Sequence, residues 1–414
     1  MLPFDVPWYR RLLGVAFALG IAGGVLGLAY LGASGWAIDR LFPSTDGTVW
    51  SGSWWWIPLV GLGGLAVAGL RSMWQVPDKT PGGVAMIEAA EVDHTTAPQW
   101  LAITAVSALA GASLGPSFAL ILIGGGLGSW MASRRWAEGT ADPDYTLTGV
   151  AGAFGGAFTS PILGAFLVSE LEPMPRQKYV ASIIPQLIAS SIGFVIFFSV
   201  AGRTFLGSYE VPAYEFEVIH MAVAVLLGVL AAVVMLVFVL VIALVKRACA
   251  LVPNRYVLAI GGGSVVGFIA FALPLTAGAG QSQLDVVIAD SASLGIWLLV
   301  AVLIAKMIAM ALSLEVGFMG GNVFPMIFMG GTAGTIVYLA FPDVPFALAV
   351  SCMLAAVPGS FLKAPVSMVF IAAIALALGA ETTAPVAVAV ATSYLLIGAV
   401  RYAASKARAA RQDA

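Results

Sequence analysis

Apolar residues fill this chain in blocks of about twenty, the length a helix needs to cross a bilayer, and the blocks are parted by short polar or Gly/Pro-rich stretches. Arg10 and Arg11 precede a run from Leu12 to Leu31. Its length, and the many spans that follow, read as a first membrane helix rather than a cleaved signal. Asp39 to Ser53 is expected to be a polar loop, and Trp54-Trp55-Trp56 an aromatic belt opening a span to Leu70. Pro77 to Thr80 breaks the pattern before a short element at Pro81-Gly82-Gly83-Val84 and a helix from Gln99 to Ala110. Arg134 and Arg135 close the next helix. Thr146 to Leu171 is apolar, with Gly149, Gly152, Gly155 and Gly156 implying close helix packing. Glu170 and Glu172 end that element, a loop is expected over Pro173, Pro175, Arg176 and Lys178, and Val180 to Val200 spans again. A polar connector, 202–217, precedes a long, tilted span from Val218 to Val245 that ends at Lys246 and Arg247. Val257 to Leu273 spans, Leu275 to Asp290 is expected to be a polar loop, and Ile296 to Leu314 is a helix carrying Lys306. Apolar elements then continue to Val400.

The pattern is interrupted most sharply at Gly317-Phe318-Met319-Gly320-Gly321-Asn322-Val323-Phe324-Pro325. Glycines permit a tight turn, and a proline fits the first turn of the apolar helix that follows. A helix N-terminus opened inside a membrane carries free N–H groups and partial positive charge, and it attracts anions. A second copy stands at Gly111-Ala112-Ser113-Leu114-Gly115-Pro116. Each copy is followed by a further proline element, Ser160-Pro161 and Ala364-Pro365, at spacings of 45 (116 to 161) and 40 (325 to 365). Paired interrupted helices in corresponding halves mark repeat-built transporters and channels. Ordinary Gly/Pro kinking is the competing explanation for one such motif; two pairs in the same order favour the repeat. The expected fold is therefore an all-α polytopic membrane protein of two inverted-topology repeats, 1–201 and 218–402, with broken helices meeting at mid-membrane. A connector (202–217) and a basic tail (403–414) complete the chain.

Composition agrees. The chain is 60% hydrophobic and 10% charged, with a mean hydropathy of +0.99, outside the range of soluble domains. A net charge of −2 offers no basic field for nucleic acid. Cys249, Cys352, His94 and His220 are scattered, so neither a disulfide nor a metal or haem site is expected, and no cofactor is implied. No H-E-x-x-H or clustered Ser/His pair suggests an enzyme. Lys306 inside an apolar helix is either paired or in contact with an ion, pairing being favoured. Basic residues near both termini (Arg10, Arg11, Arg401, Lys406, Arg408, Arg411) place both on the cytoplasmic side of the plasma membrane by the positive-inside rule.

Several stretches resemble the CLC family of chloride channels and transporters. Lys306-Met307-Ile308 through Gly320 to Pro325 is similar to its lysine helix and G-G-x-F-x-P filter. Ser160-Pro161 through Phe166 to Glu170 is similar to its N-A-P-L-x-G…E element, and Ser113 to Pro116 falls where it has R-E-G-P. Gly82-Gly83-Val84-Ala85, with Ile87-Glu88 after it, falls at its S-G-I-P and I-E positions, and Tyr402 at the tyrosine of its last helix. The likeness runs from about Gly82 to Tyr402 and is nearest to a divergent bacterial ion-channel branch.

The resemblance implies an anion pathway through Gly82, Gly83, Val84, Ser113, Leu114, Gly115, Pro116, Gly321, Asn322, Val323 and Phe324. Tyr402 is a hydroxyl donor from the inner side or, equally, an interfacial anchor beside Arg401. It also implies a homodimer with one path per subunit. The departures change the expected mechanism. The family's gating glutamate falls at Leu114 and its internal proton glutamate at Leu171, its filter serine at Gly82 and its filter phenylalanine at Val323. Without those carboxylates the expectation is passive conduction of chloride or a similar monovalent anion, with leucine an apolar constriction. A coupled antiporter using Glu88 or Glu315 comes second and a membrane enzyme a distant third; Glu170 reads as a cap or a partner for Arg176 or Lys178.

Overall fold

In hydrocarbon every backbone N–H and C=O must be satisfied within the protein, which leaves apolar runs such as these to form helices. A computed structural model of the chain describes residues 7–42, 52–77, 81–135, 143–158, 160–172, 176–202, 205–206 and 208–412. Among these, every regular element is helical. In order they are α1 (Pro7–Leu41), α2 (Trp56–Met73), α3 (Gly83–Glu88), α4 (Ala97–Leu109), α5 (Ser117–Arg135), α6 (Pro143–Phe154), α7 (Pro161–Leu171) and α8 (Arg176–Ala201). Then follow α9 (Ile219–Cys249), α10 (Arg255–Ala272), a 3-10 turn (Pro274–Thr276), α11 (Gln281–Ala289), α12 (Ser291–Glu315), α13 (Val323–Ala340), α14 (Phe346–Phe361), α15 (Pro365–Ala375) and α16 (Ala380–Gln412). Eight of the helices are long and apolar enough to span a membrane, with four shorter apolar ones between them.

Two expectations are corrected. Leu275 to Asp290 is not a loop: it holds the 3-10 turn and α11, whose Leu284, Val287 and Ile288 are buried at helical spacing. The stretch after Glu172 is shorter than expected, because α8 already begins at Arg176. Most of the polar loop expected over Asp39–Ser53 lies outside the described residues, although Asp39 itself is in α1. Residues 208–217 of the expected connector carry no regular structure.

The chain groups into two compact units, one of residues 1–207, 244–281 and 308–325, the other of 208–243, 282–307 and 326–414. In the first, small residues let helix backbones touch. A Cβ placed on Gly23 of α1 would stand 2.9 Å from the Ala153 nitrogen of α6, and Gly193 of α8 lies against the Gly152 carbonyl. A buried polar chain ties α6, α7 and α8 together. Ser169 Oγ donates to Gln186 Oε1 (2.8 Å), Gln186 Nε2 to Ser182 Oγ (3.2 Å) and Ser182 Oγ to Asp144 Oδ1 (2.7 Å). Every donor in this chain is directed toward the one carboxylate, which spreads its charge.

In the second unit, α14 is buried along nearly its whole length. Ser393 of α16 donates to the Ala356 carbonyl (2.8 Å), and Gly330 of α13 lies against the Met353 carbonyl. Lys306 is 0% exposed, with Nζ 5.2 Å from the ring centre of Phe328. That cation–π contact supplies the pairing expected for it.

Candidate functional site

α4 and α12 end in the same way. At α4 the N–H of Gly111 donates to Ala108 O (3.0 Å) and that of Ala112 to Ser107 O (3.1 Å); at α12, Gly317 donates to Leu314 O (3.3 Å) and Phe318 to Ser313 O (3.1 Å). These are paired Schellman caps. The residue that turns each helix off is a glycine at positive φ, +82° at Gly111 and +100° at Gly317, a conformation other residues adopt only under strain.

Beyond the caps the two segments clasp each other. Gly115 N donates to Gly321 O and Gly321 N to Gly115 O, both at 2.7 Å. Ser313 Oγ accepts the N–H of Ser113 (3.1 Å), and Ser107 Oγ accepts that of Met319 (3.0 Å). Every correspondence is a shift of 206: 107 with 313, 111 with 317, 113 with 319, 115 with 321, and the helix starts 117 with 323. The arrangement is a local two-fold exchange. It sets Pro116 opposite Asn322, so the pairing of Pro116 with Pro325 read from the sequence is out of register by three.

The expectation that both helices start at a common point is met, since α5 and α13 each begin two residues past the Gly115–Gly321 bridge. Here the close approach permitted by glycine is backbone to backbone. Built as alanine, Gly321 would meet the Ser117 hydroxyl and stand 3.0 Å from Phe118 N, while Gly115 would stand 3.1 Å from Phe324 Cβ. The N–H groups of Ser113, Gly115, Met319 and Gly321 are thereby engaged. By position in their helices, the N–H groups without an intrahelical partner are those of Ser117, Phe118 and Ala119 in α5 and of Val323, Phe324 and Met326 in α13; Pro116 and Pro325 carry no N–H.

Beside the serines of the clasp stand several apolar side chains. Leu114 is 7% exposed, and its Cβ would lie 2.5 Å from a Cβ on Gly320. Phe324 stacks on Phe158 (5.7 Å, 13°) and meets Phe205 edge-on (5.4 Å, 81°). Val323 is buried beside it. Asn322 Oδ1 is buried with no hydrogen-bond partner among the described residues. Which of its two terminal atoms is oxygen is fixed by such partners, so this position accommodates the NH₂ donor as well.

α3 reaches the same place, because a Cβ on Gly83 would stand 2.6 Å from Ile121 Cδ1 and 3.1 Å from Phe118 Cδ2 of α5. Gly82 is its N-cap in open space, and Val84 is half-buried in its first turn. Beside α3 a cavity of about 300 Å³ is lined by Pro81, Met86, Trp100 and Leu122, with Glu91 and Asp93 at its polar side. Burial pushes the Asp93 carboxyl up, but hydrogen bonds from Thr95 and Thr96 outweigh it and hold the group below its usual value. A cavity with that charge does not favour an anion. Tyr402 lies on α16 in the other unit and is 71% exposed.

One cation at the second break carries no signal in the sequence. Arg71, in the last turn of α2 and 7% exposed, donates from Nη1 to Gly317 O (3.0 Å) and from Nη2 to Pro77 O (2.5 Å). A cation at the end of a span reads as an interfacial residue, and the sequence carries no signal that it turns inward.

The family model for voltage gated chloride channels matches residues 85–398. MJ0305, an uncharacterised protein of Methanocaldococcus jannaschii, is 27% identical over 252 residues, 53% of this chain and 57% of that protein, so the chain spans a little over half the length of that relative. YfeO of Salmonella typhimurium, a protein named for ion transport, is 23% identical over 75% of each chain. Among solved structures, a slow cyanobacterial Cl⁻/H⁺ antiporter superposes with a TM-score of 0.79 at 18% identity, over 94% of this chain and 95% of that one. A CLC-type fluoride/proton antiporter superposes at 0.74 and 17%, over 93% and 95%. The all-α polytopic fold is thus the CLC fold, and with three quarters of its length matched by the family model, the chain is a multi-pass membrane protein of the voltage-gated chloride channel (CLC) family.

Proposed function

We propose that this member of an anion-transport family conducts chloride or a similar monovalent anion passively, without proton coupling. The observation that carries the reading is Leu114. A leucine, buried against Gly320, occupies the place in the first break where the family resemblance puts a gating carboxylate. Leu171, also buried, takes the place of the internal one. Without a titratable group there, nothing at the break exchanges a proton for an anion. The anion meets two helix N-termini, of α5 and α13, whose partial charges hold it loosely enough to release it.

On this reading the path follows Gly82, Gly83 and Val84, then the clasp from Ser113 to Pro116 and from Gly321 to Phe324, with the first-turn N–H groups as donors. Tyr402, exposed on α16, keeps both of its readings, a hydroxyl donor to the path or an interfacial anchor beside Arg401. The 206-residue correspondence supports two inverted repeats within 1–201 and 218–402. A homodimer with one path per subunit and two cytoplasmic termini belong to the same proposal. The second reading, an anion/proton antiporter using Glu88 or Glu315, draws support from the two solved proteins of this fold whose names are antiporters. Purified protein in liposomes separates the two: passive conduction gives chloride flux independent of an imposed proton gradient. Chloride driven uphill by protons would establish the antiporter instead. Potassium flux equal to chloride flux would sink both.

A further inference from the structure

We propose that Arg71 is a positioning residue that sets anion discrimination at the second break by clamping the peptide between Gly317 and Phe318. The inference rests on the reading that the breaks line the anion path. That peptide is held at both ends. Its N–H, from Phe318, donates to Ser313 O at 3.1 Å, and its carbonyl, from Gly317, accepts from Arg71 Nη1 at 3.0 Å. The arginine stem runs alongside, with Cδ 3.8 Å and Nε 4.0 Å from where a Gly317 Cβ would sit. Gly317 holds a positive φ that a residue with a side chain adopts only under strain, so the peptide after it turns on a glycine. Rotating that peptide would turn Met319 N away from Ser107 and shift Gly321 and the first turn of α13 after it.

The other half of the guanidinium holds Pro77 O, on the chain that leads to Gly82 and Gly83. One planar fork therefore fixes two approaches to the break at once, and its positive charge covers the carbonyl-rich end of α12, which would otherwise repel an anion. The corresponding glycine of the first break, Gly111, faces the ring of Phe42 instead. The clamp belongs to one side of the two-fold arrangement only.

The test uses the full chain with Arg71→Lys, which keeps the charge but not the fork, and Arg71→Gln, which keeps polarity without charge. Two readouts are taken: the chloride-to-nitrate flux ratio in liposomes and hydrogen exchange of the backbone over 313–322 in detergent. Both variants are expected to shift the flux ratio and to speed exchange at Phe318 and Met319 by about tenfold, the scale of one charge-assisted hydrogen bond. Wild-type ratio and protection in both variants would overturn the proposal. So would a wild-type-like Arg71→Lys beside an altered Arg71→Gln, because charge alone would then suffice. If Arg71→Gln is not recovered folded, Arg71→Lys decides. If the wild type moves no anion, the reading of the path fails, and unchanged exchange in the variants would overturn the clamp separately.

Discussion

At the first break the residue before the bridging glycine is Leu114, followed by Pro116; at the second these places are held by Gly320 and Asn322. The backbones around them make the same Schellman caps and exchange the same hydrogen bonds. What differs is what each contributes to the space between: the first a buried aliphatic side chain, the second a carboxamide oxygen with no partner among the described residues and a peptide held by Arg71. A shared backbone frame with unequal side chains lets one geometry support two tasks. On the proposed reading, the first break narrows the path and the second is held in place to receive the ion.

The largest effect that would break this comparison is expected at the bridging glycines. Gly321→Ala puts a methyl into Ser117 and 3.0 Å from Phe118 N, whereas Gly115→Ala meets only tight contacts, with Phe324 Cβ at 3.1 Å and Gly321 O at 3.3 Å, which a shift of a few tenths of an ångström relieves. Overpacking a tight site costs about 1–3 kcal/mol or more, and the backbone clash puts Gly321→Ala at the upper end. It should abolish recovery of folded protein while Gly115→Ala is purified normally. Equal yields would show that the two sides are equivalent after all.

Next is Leu114→Glu, which gives the first break a carboxylate that competes with the anion for the α5 N-terminus. Flux at neutral pH should fall by roughly tenfold, about the worth of one strong hydrogen bond to a charge, and recover in acid as the new group is protonated. The wild type should change little over the same range. Equal flux of Leu114→Glu at both pH values would place residue 114 off the path.

A symmetric effect, on stability rather than flux, is expected from Ser107→Ala and Ser313→Ala, each of which leaves one buried N–H of the other break unpaired. Each should lower stability by about 1–3 kcal/mol, and the double variant should fall short of the sum, because the two act on one clasp. Thermal unfolding in detergent measures this; a large effect at one serine alone would refute the exchange. The smallest effect is expected from Leu114→Ala, which should preserve chloride flux or raise it a few-fold at most.

Much of the fold was legible because its signals are local. Apolar runs mark the spans, and Pro161 and Pro365 open α7 and α15 where a proline belongs, in the first turn. The register of the two breaks was not legible, since a proline tolerates any place in a first turn. Pro116 precedes α5 while Pro325 is the third residue of α13. α11 was hidden by polar residues and by Gly278 and Gly280 just before it, although Leu284, Val287 and Ile288 carry the helical spacing. Arg71 and the chain from Ser169 to Asp144 were illegible for a different reason: hydrogen bonds formed across long sequence separations leave no periodicity behind.

The clasp also bears on how the chain is made. Ser113 and Ser313 are 200 residues apart, and Ser107 and Met319 are 212 apart. At synthesis rates of about 5–20 residues per second, the first break waits roughly 10–40 s before its partner leaves the ribosome. During that interval the amides of Ser113 and Gly115 lack the acceptors they have in the finished protein. A half-made chain therefore carries unpaired polar backbone beside apolar helices, an arrangement that bare lipid penalises. Some other donor of hydrogen bonds, whether water, the insertion machinery or a temporary contact within the nascent chain, has to cover that segment until translation passes Gly321.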